Sequence, residues 1–240
     1  MTYCVGLLLD AGVVLLSDTR TNAGLDNIAT YRKMFLFEKE GDRAIGIMTA
    51  GSLSITQTVI ARLTEANEDP DSPRSILRAP GMLQVAEIVG ATLSDVTSEV
   101  SSKMERMNQS ATASMIVAGQ RKGGPMRMFL VYPEGNFIEA TPDTPFLQIG
   151  EHKYGKPILD RVISSATTLA DAEKAVLLSM DSTLRSNLSV GMPLDFAVIE
   201  RDALAVTRRR RIEPTDEAFQ KMSHDWSEAL RNAFVEIDPI

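Results

Sequence analysis

The residue with the most chemical potential in this chain is the threonine that follows Met1. Thr2 is small, which permits removal of Met1 and would leave Thr2 with a free α-amine. A threonine hydroxyl is a weak nucleophile and needs a base. An α-amine has an ordinary pKa of ~7.7–8.0 and can accept a proton at neutral pH. Thr2 could therefore supply nucleophile and base together, although it also fits the β-branched beginning of an ordinary strand.

Three further short segments carry a charge or a glycine at the ends of predicted strands. They are residues 17–20 (Ser-Asp-Thr-Arg), 32–34 (Arg-Lys-Met) and 49–52 (Thr-Ala-Gly-Ser). In the simplest interpretation Asp18 and Lys33 form an ordinary ion pair, which contributes little at a surface. Gly51 would lead into a helix that has Ser52 as its N-cap. Each segment taken alone therefore has a purely structural explanation.

The hydrophobic pattern predicts paired strands that alternate with paired helices. The predicted strands are residues 5–9, 13–17, 34–37, 43–48, 114–118, 126–132, 136–140, 146–149, 194–199 and 203–207. The predicted helices are residues 52–67, 82–107, 157–165, 169–187 and 216–235. No linker or repeat separates the two halves, so residues 1–240 are expected to form one domain. We predict an α+β fold in which two antiparallel sheets stack between layers of helices, as a four-layer αββα sandwich.

The composition excludes several classes of protein. The 240 residues include 25 basic and 32 acidic side chains, and the formal net charge of −7 argues against a nucleic-acid partner. No apolar stretch approaches ~18 residues, so no membrane partner is expected. With one cysteine and two histidines the chain has few ligands for zinc, and we expect neither a metal nor another cofactor. The single cysteine and the lack of a signal-peptide pattern predict a cytoplasmic protein.

Two other features have structural interpretations. The four arginines at residues 208–211 predict a subunit contact or a solvated edge strand, because no aromatic residues are interleaved with them. Trp226 lies in the last predicted helix with Phe219 and Phe234 and is interpreted as a packing residue.

The order of the chemical segments resembles that of proteasome β-subunits and their bacterial relatives. In that family a catalytic N-terminal threonine precedes an Asp-Thr-Arg type motif, a lysine and an Ala-Gly-Ser type turn. The same order runs here through Thr2, residues 18–20, Lys33 and residues 50–52. Three more segments resemble the bacterial Anbu (ancestral β-subunit) branch more specifically, namely residues 21–24, 154–160 and 186–193. The resemblance covers essentially the full chain and implies the N-terminal-nucleophile (Ntn) hydrolase fold.

The resemblance implies a catalytic role for four residues. Lys33 would lie beside the hydroxyl of the nucleophile Thr2, where its positive charge favours alkoxide character. Asp18 would pair with Lys33 and orient it. Gly51 would present its backbone N–H to the oxyanion of a tetrahedral intermediate, and its lack of a side chain would let the substrate approach. The resemblance also implies substrate contacts at Thr21, Asn22 and Thr49.

The chain departs from the proteasome pattern at the supporting positions. Glu151 stands where the family has a supporting serine. Farther on, proteasomes have an aspartate and, three residues later, a serine just before a glycine. If that glycine is Gly191, the two positions are Asn187 and Val190, whereas a shift of one residue selects Ser186 and Ser189. The supporting residues therefore stay open among these candidates.

Two functions are compatible with the sequence. The first is an N-terminal threonine hydrolase that cleaves amide bonds of peptides. The second is a catalytically weak assembly protein of the same fold, which acts as a scaffold or binds peptides. In both cases the resemblance implies a homo-oligomer, either a closed ring or an open helical assembly, with a peptide as substrate or ligand.

Overall fold

Pairs of strands alternate with pairs of helices along the chain. The computed structural model describes residues 1–22, 28–104 and 111–238. The strands are β1 (Tyr3–Leu9), β2 (Gly12–Asp18), β3 (Arg20–Asn22), β4 (Ile28–Thr30), β5 (Met34–Lys39), β6 (Arg43–Gly51), β7 (Ala113–Arg121), β8 (Arg127–Val131), β9 (Phe137–Glu139), β10 (Phe146–Gly150), β11 (Leu194–Glu200) and β12 (Arg208–Ile212). The helices are α1 (Leu53–Glu68), α2 (Met82–Met104), α3 (Lys156–Val162), α4 (Leu169–Ser186) and α5 (Glu217–Glu236).

Ten of these strands form two five-stranded antiparallel sheets. The first sheet has the order β10–β1–β2–β11–β12, and the second has the order β5–β6–β7–β8–β9. β1 and β2 form a tight hairpin in which Leu9 lies opposite Gly12. β11 pairs with the other edge of β2, so that Leu194 lies opposite Asp18. β3 and β4 form a separate two-stranded ribbon just after β2.

Small residues let the two sheets approach each other closely. Leu15 is fully buried in the apolar layer between the sheets. A Cβ atom added at Gly6 would lie 3.3 Å from Leu15, and one added at Gly46 would collide with the same side chain. The absence of side chains at these two positions therefore makes the space that Leu15 fills.

Helices cover the outer face of each sheet. α1 and α2 pack on the second sheet, and the buried residues that they contribute include Ile55, Val59, Leu63, Val85, Val89 and Leu93. The helices on the first sheet contribute Leu159 from α3, Val176 and Met180 from α4, and Phe219 from α5. These apolar positions recur every three or four residues, as expected for one buried face of a helix. The predicted four-layer αββα sandwich is confirmed.

One predicted strand is wrong and two short strands were missed. Residues 203–206 are a short apolar run of the kind found in strands, but Asp202 and Leu204 have φ angles of 63° and 53°, and the chain turns there. The strand is instead β12, which lies at the edge of its sheet, so the edge-strand interpretation of the arginines is confirmed. β3 and β4 have three residues each, too few for a periodic signal. The described part of α2 ends at Met104, and residues 105–107 of the predicted helix lie outside the described residues.

Across residues 1–22, 28–104 and 111–238, none of the helices combines the length and the apolar character needed to span a bilayer.

Truncation of Leu15 tests the packing between the sheets. Leu15→Ala should lower the free energy of unfolding by about 3 kcal/mol, because it leaves a cavity between two sheets that cannot collapse freely. The matched control is Leu188→Ala, since Leu188 is 87% exposed and its loss should cost less than about 0.5 kcal/mol. Urea unfolding at one fixed protein concentration measures both values. Equal effects of the two substitutions would contradict the packing described.

Candidate functional site

Backbone contacts from the end of β10 hold Thr2 in place. Its carbonyl oxygen accepts a hydrogen bond from the N–H of Glu151 at 2.7 Å, and the next residue, Tyr3, pairs with Gly150. Gly150 has a φ of 82°, and a Cβ atom there would collide with the Thr2 carbonyl. The glycine is therefore required for the chain to pass so close to Thr2, which is itself buried.

Lys33 occupies the centre of the site and uses all of its hydrogen-bond donors. Its ammonium nitrogen lies 2.8 Å from Asp18 Oδ1, 2.6 Å from the carbonyl oxygen of Arg20 and 3.3 Å from that of Met1. A lysine ammonium has three hydrogens, so these three acceptors account for all of them. The contact with Met1 places the Met1–Thr2 peptide bond directly at the lysine.

The Asp18 carboxylate is fully buried and is satisfied from three directions. Oδ1 accepts from Lys33 and from the backbone N–H of Tyr3 at 3.1 Å, and Oδ2 accepts from the N–H of Gly191 at 3.2 Å. Burial raises the pKa of this carboxyl, whereas the charge of Lys33 and the hydrogen bonds oppose that shift. The pair is therefore no surface ion pair: loss of either partner would leave an uncompensated charge in the interior.

The N–H of Gly51 points into the site as a consequence of the strand pattern. The backbone N–H of Thr49 donates to the carbonyl oxygen of Lys33 at 2.9 Å. On the other side of β6, the N–H of Ser52 donates to the carbonyl oxygen of Thr112 at 2.9 Å. Because successive N–H groups alternate sides, that of Gly51 points to the β5 side. The β5 register begins with Met34 opposite Met48, so Gly51 lies beyond the end of that pairing. An N–H in this place can donate to a bound substrate.

Gly51 also requires a conformation that other residues rarely adopt. Its φ is 106°, and a Cβ atom would collide with the carbonyl oxygen of Thr112. The glycine is therefore fixed by the backbone of β6 and β7, whatever its role toward a substrate.

Several of the residues that the motifs single out line a cavity of about 430 Å³. Its lining includes Met1, Thr2, Thr21, Lys33, Thr49 and Gly51. Apart from Lys33, the described lining residues are uncharged, so this part of the cavity suits an uncharged segment of an extended chain. Asp18 is not among the lining residues but contacts Lys33. The structure therefore brings together every sequence-predicted catalytic residue and two of the three predicted substrate contacts. The third is Asn22, whose side chain lies outside the described residues.

The candidate supporting residues differ in how close they come to the site. The loop after α4 reaches it, because Gly191 bonds to Asp18 and the guanidinium of Arg20 donates to the carbonyl of Leu188 at 2.8 Å. Within that loop Asn187 Oδ1 accepts from the N–H of Ser189 at 2.9 Å, so the Asn187 side chain serves the loop itself.

The other two supporting candidates point elsewhere. Ser186 is exposed at the end of α4. The carboxylate of Glu151 lies 3.7 Å from the ammonium of Lys153, and only its backbone N–H contacts Thr2.

Sequence reasoning missed an anchor at Tyr3. The hydroxyl of this buried side chain lies 2.6 Å from Ser179 Oγ and 2.5 Å from Gln148 Nε2. A Cβ atom at Gly155 would lie 2.8 Å from the same hydroxyl, so the glycine makes room for it. Tyr3 is therefore held at two points: Asp18 binds its backbone N–H, and Ser179 binds its hydroxyl. The only signal in the sequence is an aromatic hydroxyl next to Thr2, and its partners are too distant in sequence to identify.

Within the described ranges, no three His, Cys, Asp or Glu side chains come together as ligands for a metal ion. The charged pair at the centre of the site is Lys33 with Asp18, an arrangement that could serve proton transfer and electrostatic stabilisation.

Solved structures similar to this chain over its whole length have the same arrangement of elements. A structure of Anbu (ancestral β-subunit) from Yersinia bercovieri is 40% identical, with 99% of this chain and 98% of that chain covered and a TM-score of 0.93. An Anbu mutant from Hyphomicrobium sp. strain MC1 is 47% identical, with 100% and 99% covered and a TM-score of 0.92. The Anbu complex from Pseudomonas aeruginosa, described as a helical assembly, is 43% identical, with 99% and 98% covered and a TM-score of 0.94.

Models of protein families and the curated proteins gave no match to the chain. The fold and the similar structures define a proteasome-like protein of the Ntn type. The chain belongs to the Anbu (ancestral β-subunit) family.

The Tyr3 anchor has a testable consequence at alkaline pH. Burial raises the pKa of Tyr3 from 10.0 to about 12, so the folded state holds this proton more tightly than the unfolded state does. As pH rises from 10 to 12, the unfolded state is the first to ionise, and the wild type loses about 2–3 kcal/mol of stability. The Tyr3→Phe variant has no hydroxyl to ionise at this position, so its stability does not fall for this reason as pH rises. It should be about 1–3 kcal/mol less stable than the wild type at neutral pH, because Ser179 and Gln148 lose a partner.

The difference in unfolding free energy between wild type and Tyr3→Phe should therefore shrink across this pH window. The buried Cys4 thiol, whose pKa is also raised by burial, is present in both proteins and cancels in the difference. Tyr31→Phe is the control, because Tyr31 is exposed and its loss should leave stability nearly unchanged. A difference for Tyr3→Phe that stays constant with pH would argue against the anchor.

Proposed function

We propose that this chain is an N-terminal threonine hydrolase of peptide bonds that works within a homo-oligomeric, proteasome-like assembly. The observation that carries the proposal is the contact of Lys33 with the carbonyl oxygen of Met1. Two of the three ammonium hydrogens are held by Asp18 and Arg20, so the third marks the position of the reacting group.

Removal of Met1 would complete the site. Hydrolysis of the Met1–Thr2 bond frees the α-amine of Thr2 and removes the acceptor of the third Lys33 hydrogen. That hydrogen is then available to the Thr2 hydroxyl, where a positive charge stabilises developing negative charge on oxygen. Asp18 keeps the ammonium charged and in place.

The proposed reaction passes through an ester. The α-amine of Thr2 accepts the proton of its own hydroxyl as Oγ attacks the carbonyl carbon of the peptide. The backbone N–H of Gly51 stabilises the oxyanion of the tetrahedral intermediate. The protonated α-amine of Thr2 then gives its proton to the leaving amine of the substrate, and the C–N bond breaks. In the second half the α-amine of Thr2 takes a proton from water as the water oxygen attacks the ester carbon. The α-ammonium then returns that proton to Oγ as the ester C–Oγ bond breaks, which releases the acid and regenerates Thr2.

The cavity supports an extended peptide as the substrate. Thr21 and Thr49 lie on its walls beside Gly51, and Asn22 is proposed as a further contact in the same ribbon. Because the described residues of the walls include no acid and one already paired lysine, a neutral side chain is favoured next to the bond that is cleaved.

Assembly of several copies is the second part of the proposal. The Anbu complex from Pseudomonas aeruginosa is described as a helical assembly, which supports self-association of this family member as well. The assembly can be a closed ring or an open helix, depending on whether the rotation at the contact closes. A cytoplasmic location stays a prediction from the sequence.

A catalytically weak scaffold of the same fold is the second candidate. It is favoured by the side chains at the supporting positions, because Glu151 turns to Lys153 and Asn187 binds within its own loop. The two candidates differ in the state of the N-terminus. N-terminal sequencing that finds Met1 retained in the assembled protein would favour the scaffold.

Substitution of Thr2 tests the nucleophile. Thr2→Ala should abolish hydrolysis of unfolded or short peptides, whereas Thr2→Ser should retain part of it, because a hydroxyl remains beside the α-amine. The change is small and lies at the chain end, so circular dichroism and melting temperature should be nearly unchanged. Wild-type hydrolysis rates in purified Thr2→Ala would contradict the mechanism.

Substitution of Lys33 separates catalysis from stability. Lys33→Ala should lower kcat/KM by about 10²-fold, since preorganised charge at the reacting centre contributes ~3 kcal/mol. It should also cost about 3–5 kcal/mol of stability, because Asp18 stays buried without its partner. The double variant Lys33→Met with Asp18→Asn should recover much of the stability and none of the activity. Lys39→Ala, which removes an exposed lysine, is the control. Recovery of activity in the double variant would show that the pair is only structural.

A further inference from the structure

α5 extends beyond the layer on which it packs. Its apolar stripe begins with Phe219, which is buried against the first sheet and its helices. Ser223 Oγ on the same helix donates to Asp181 Oδ1 of α4 at 2.7 Å, which fixes this half of the helix. The stripe continues to Trp226, seven residues further on, and to Leu230, four residues after that, so the three side chains share one face of the helix.

The second half of α5 leaves this apolar face uncovered. Leu230 is 51% exposed, Phe234 79%, and Ile237 just after the helix 72%. Val235 on the opposite face is exposed as well. Residues 228–237 would span roughly 15 Å as a helix, so this is an overhang of nearly three turns. We call residues 228–237 the overhang.

Two apolar hollows lie beside the covered half of the same helix. One has a volume of about 480 Å³ and is lined by Leu178, Ala218, Met222, Trp226 and Ala229. The other has a volume of about 430 Å³ and lies between α3 and α4, with Ile158, Val162, Ala175, Leu178 and Trp226 in its lining. Trp226 borders both hollows. We call the pair the Trp226 hollows.

The charges around the hollows are already paired with each other. Lys174 lies 2.9 Å from Asp171, and Lys221 lies 2.5 Å from Asp225. A face with such locally compensated charges offers little to an acidic or basic ligand. It does allow the approach of another chain with the same net charge of −7, which would otherwise be repelled. An apolar protein segment is therefore the partner that this face fits.

We propose that the overhang of one copy of this chain packs into the Trp226 hollows of a second copy. The chain itself carries both halves of the contact, an exposed aliphatic and aromatic helix end and an apolar depression next to it. This proposal rests on the self-assembly proposed above and names the surface through which it occurs. It assigns Phe234 as the anchor, because aromatic side chains that fill a pocket contribute most to protein contacts.

The single tryptophan of the chain reports directly on this contact. Trp226 should become less accessible to water on association, so its emission should move to shorter wavelength as the protein concentration rises. Sedimentation velocity follows the mass in the same samples. The two changes should have the same midpoint. A particle that stays monomeric at every concentration, or one whose mass grows without a change at Trp226, would overturn the proposal.

Two variants disrupt the two sides of the contact separately. Phe234→Glu places a charge on the overhang, and Ala218→Arg fills a hollow. Each should weaken self-association by at least about tenfold. Both positions are exposed, so the fold should be retained, as circular dichroism would verify. Ile138→Glu, which adds the same charge at an exposed apolar residue on β9, is the matched control and should associate as the wild type does.

A mixture of the two variants gives the sharpest test. Phe234→Glu keeps an intact hollow, and Ala218→Arg keeps an intact overhang, so one intact contact can form between them. The mixture should associate more strongly than either variant alone and should restore the shift of Trp226 emission. A mixture as weak as its components would overturn the pairing of overhang with hollow. None of these measurements depends on peptide hydrolysis. A protein that assembles in this way but does not cleave peptides would contradict only the catalytic proposal.

Discussion

A single buried ion pair, Asp18 with Lys33, constrains every segment around Thr2. Two charges are stable in an interior only when hydrogen bonds satisfy their remaining atoms. Here the backbone N–H groups of Tyr3 and Gly191 bind the carboxylate, and the carbonyl oxygens of Arg20 and Met1 bind the ammonium. These contacts join the beginning of β1, the end of β2, the residue before β5 and the loop that leads into β11. A displacement of any one of these segments would remove one of the contacts that satisfy the two buried charges.

The register of the strands explains how the residues around this ion pair come together. The antiparallel register brings the first residue of β1 against the last of β10 and the last residue of β2 against the first of β11, so strand ends meet at one place. Tyr3 extends the constraint into the helical layer, because its hydroxyl bonds to Ser179 on α4. Thr2, the proposed nucleophile, is thus attached to a strand that is fixed on both faces. The proposed removal of Met1 would change only the covalent state of the Thr2 nitrogen.

The sequence predicts the parts of the site that lie close together along the chain. Thr2, Asp18, Lys33 and Gly51 fall within the first 51 residues, and their order is informative because each follows or precedes a strand. The Tyr3–Ser179 contact joins residues 176 positions apart, and nothing in a local pattern identifies such a partner. The strand expected at residues 203–207 failed for a different reason. Residues 203–206 are an apolar run, but the backbone turns at Asp202 and Leu204. The arginines that follow form β12 because they pair with β11, and Glu173 forms ion pairs with Arg208 and Arg210 of that strand.

The account depends most directly on a free α-amine and a free hydroxyl on the same residue, Thr2. A peptide epoxyketone reacts with both groups and closes a morpholine ring, so the adduct records their coexistence. Fragment mass spectrometry of the treated protein should find the adduct on a chain that begins at Thr2, and chains that retain Met1 should stay unmodified. Chains shown to lack Met1 that form no adduct, or that carry it elsewhere, would contradict the account.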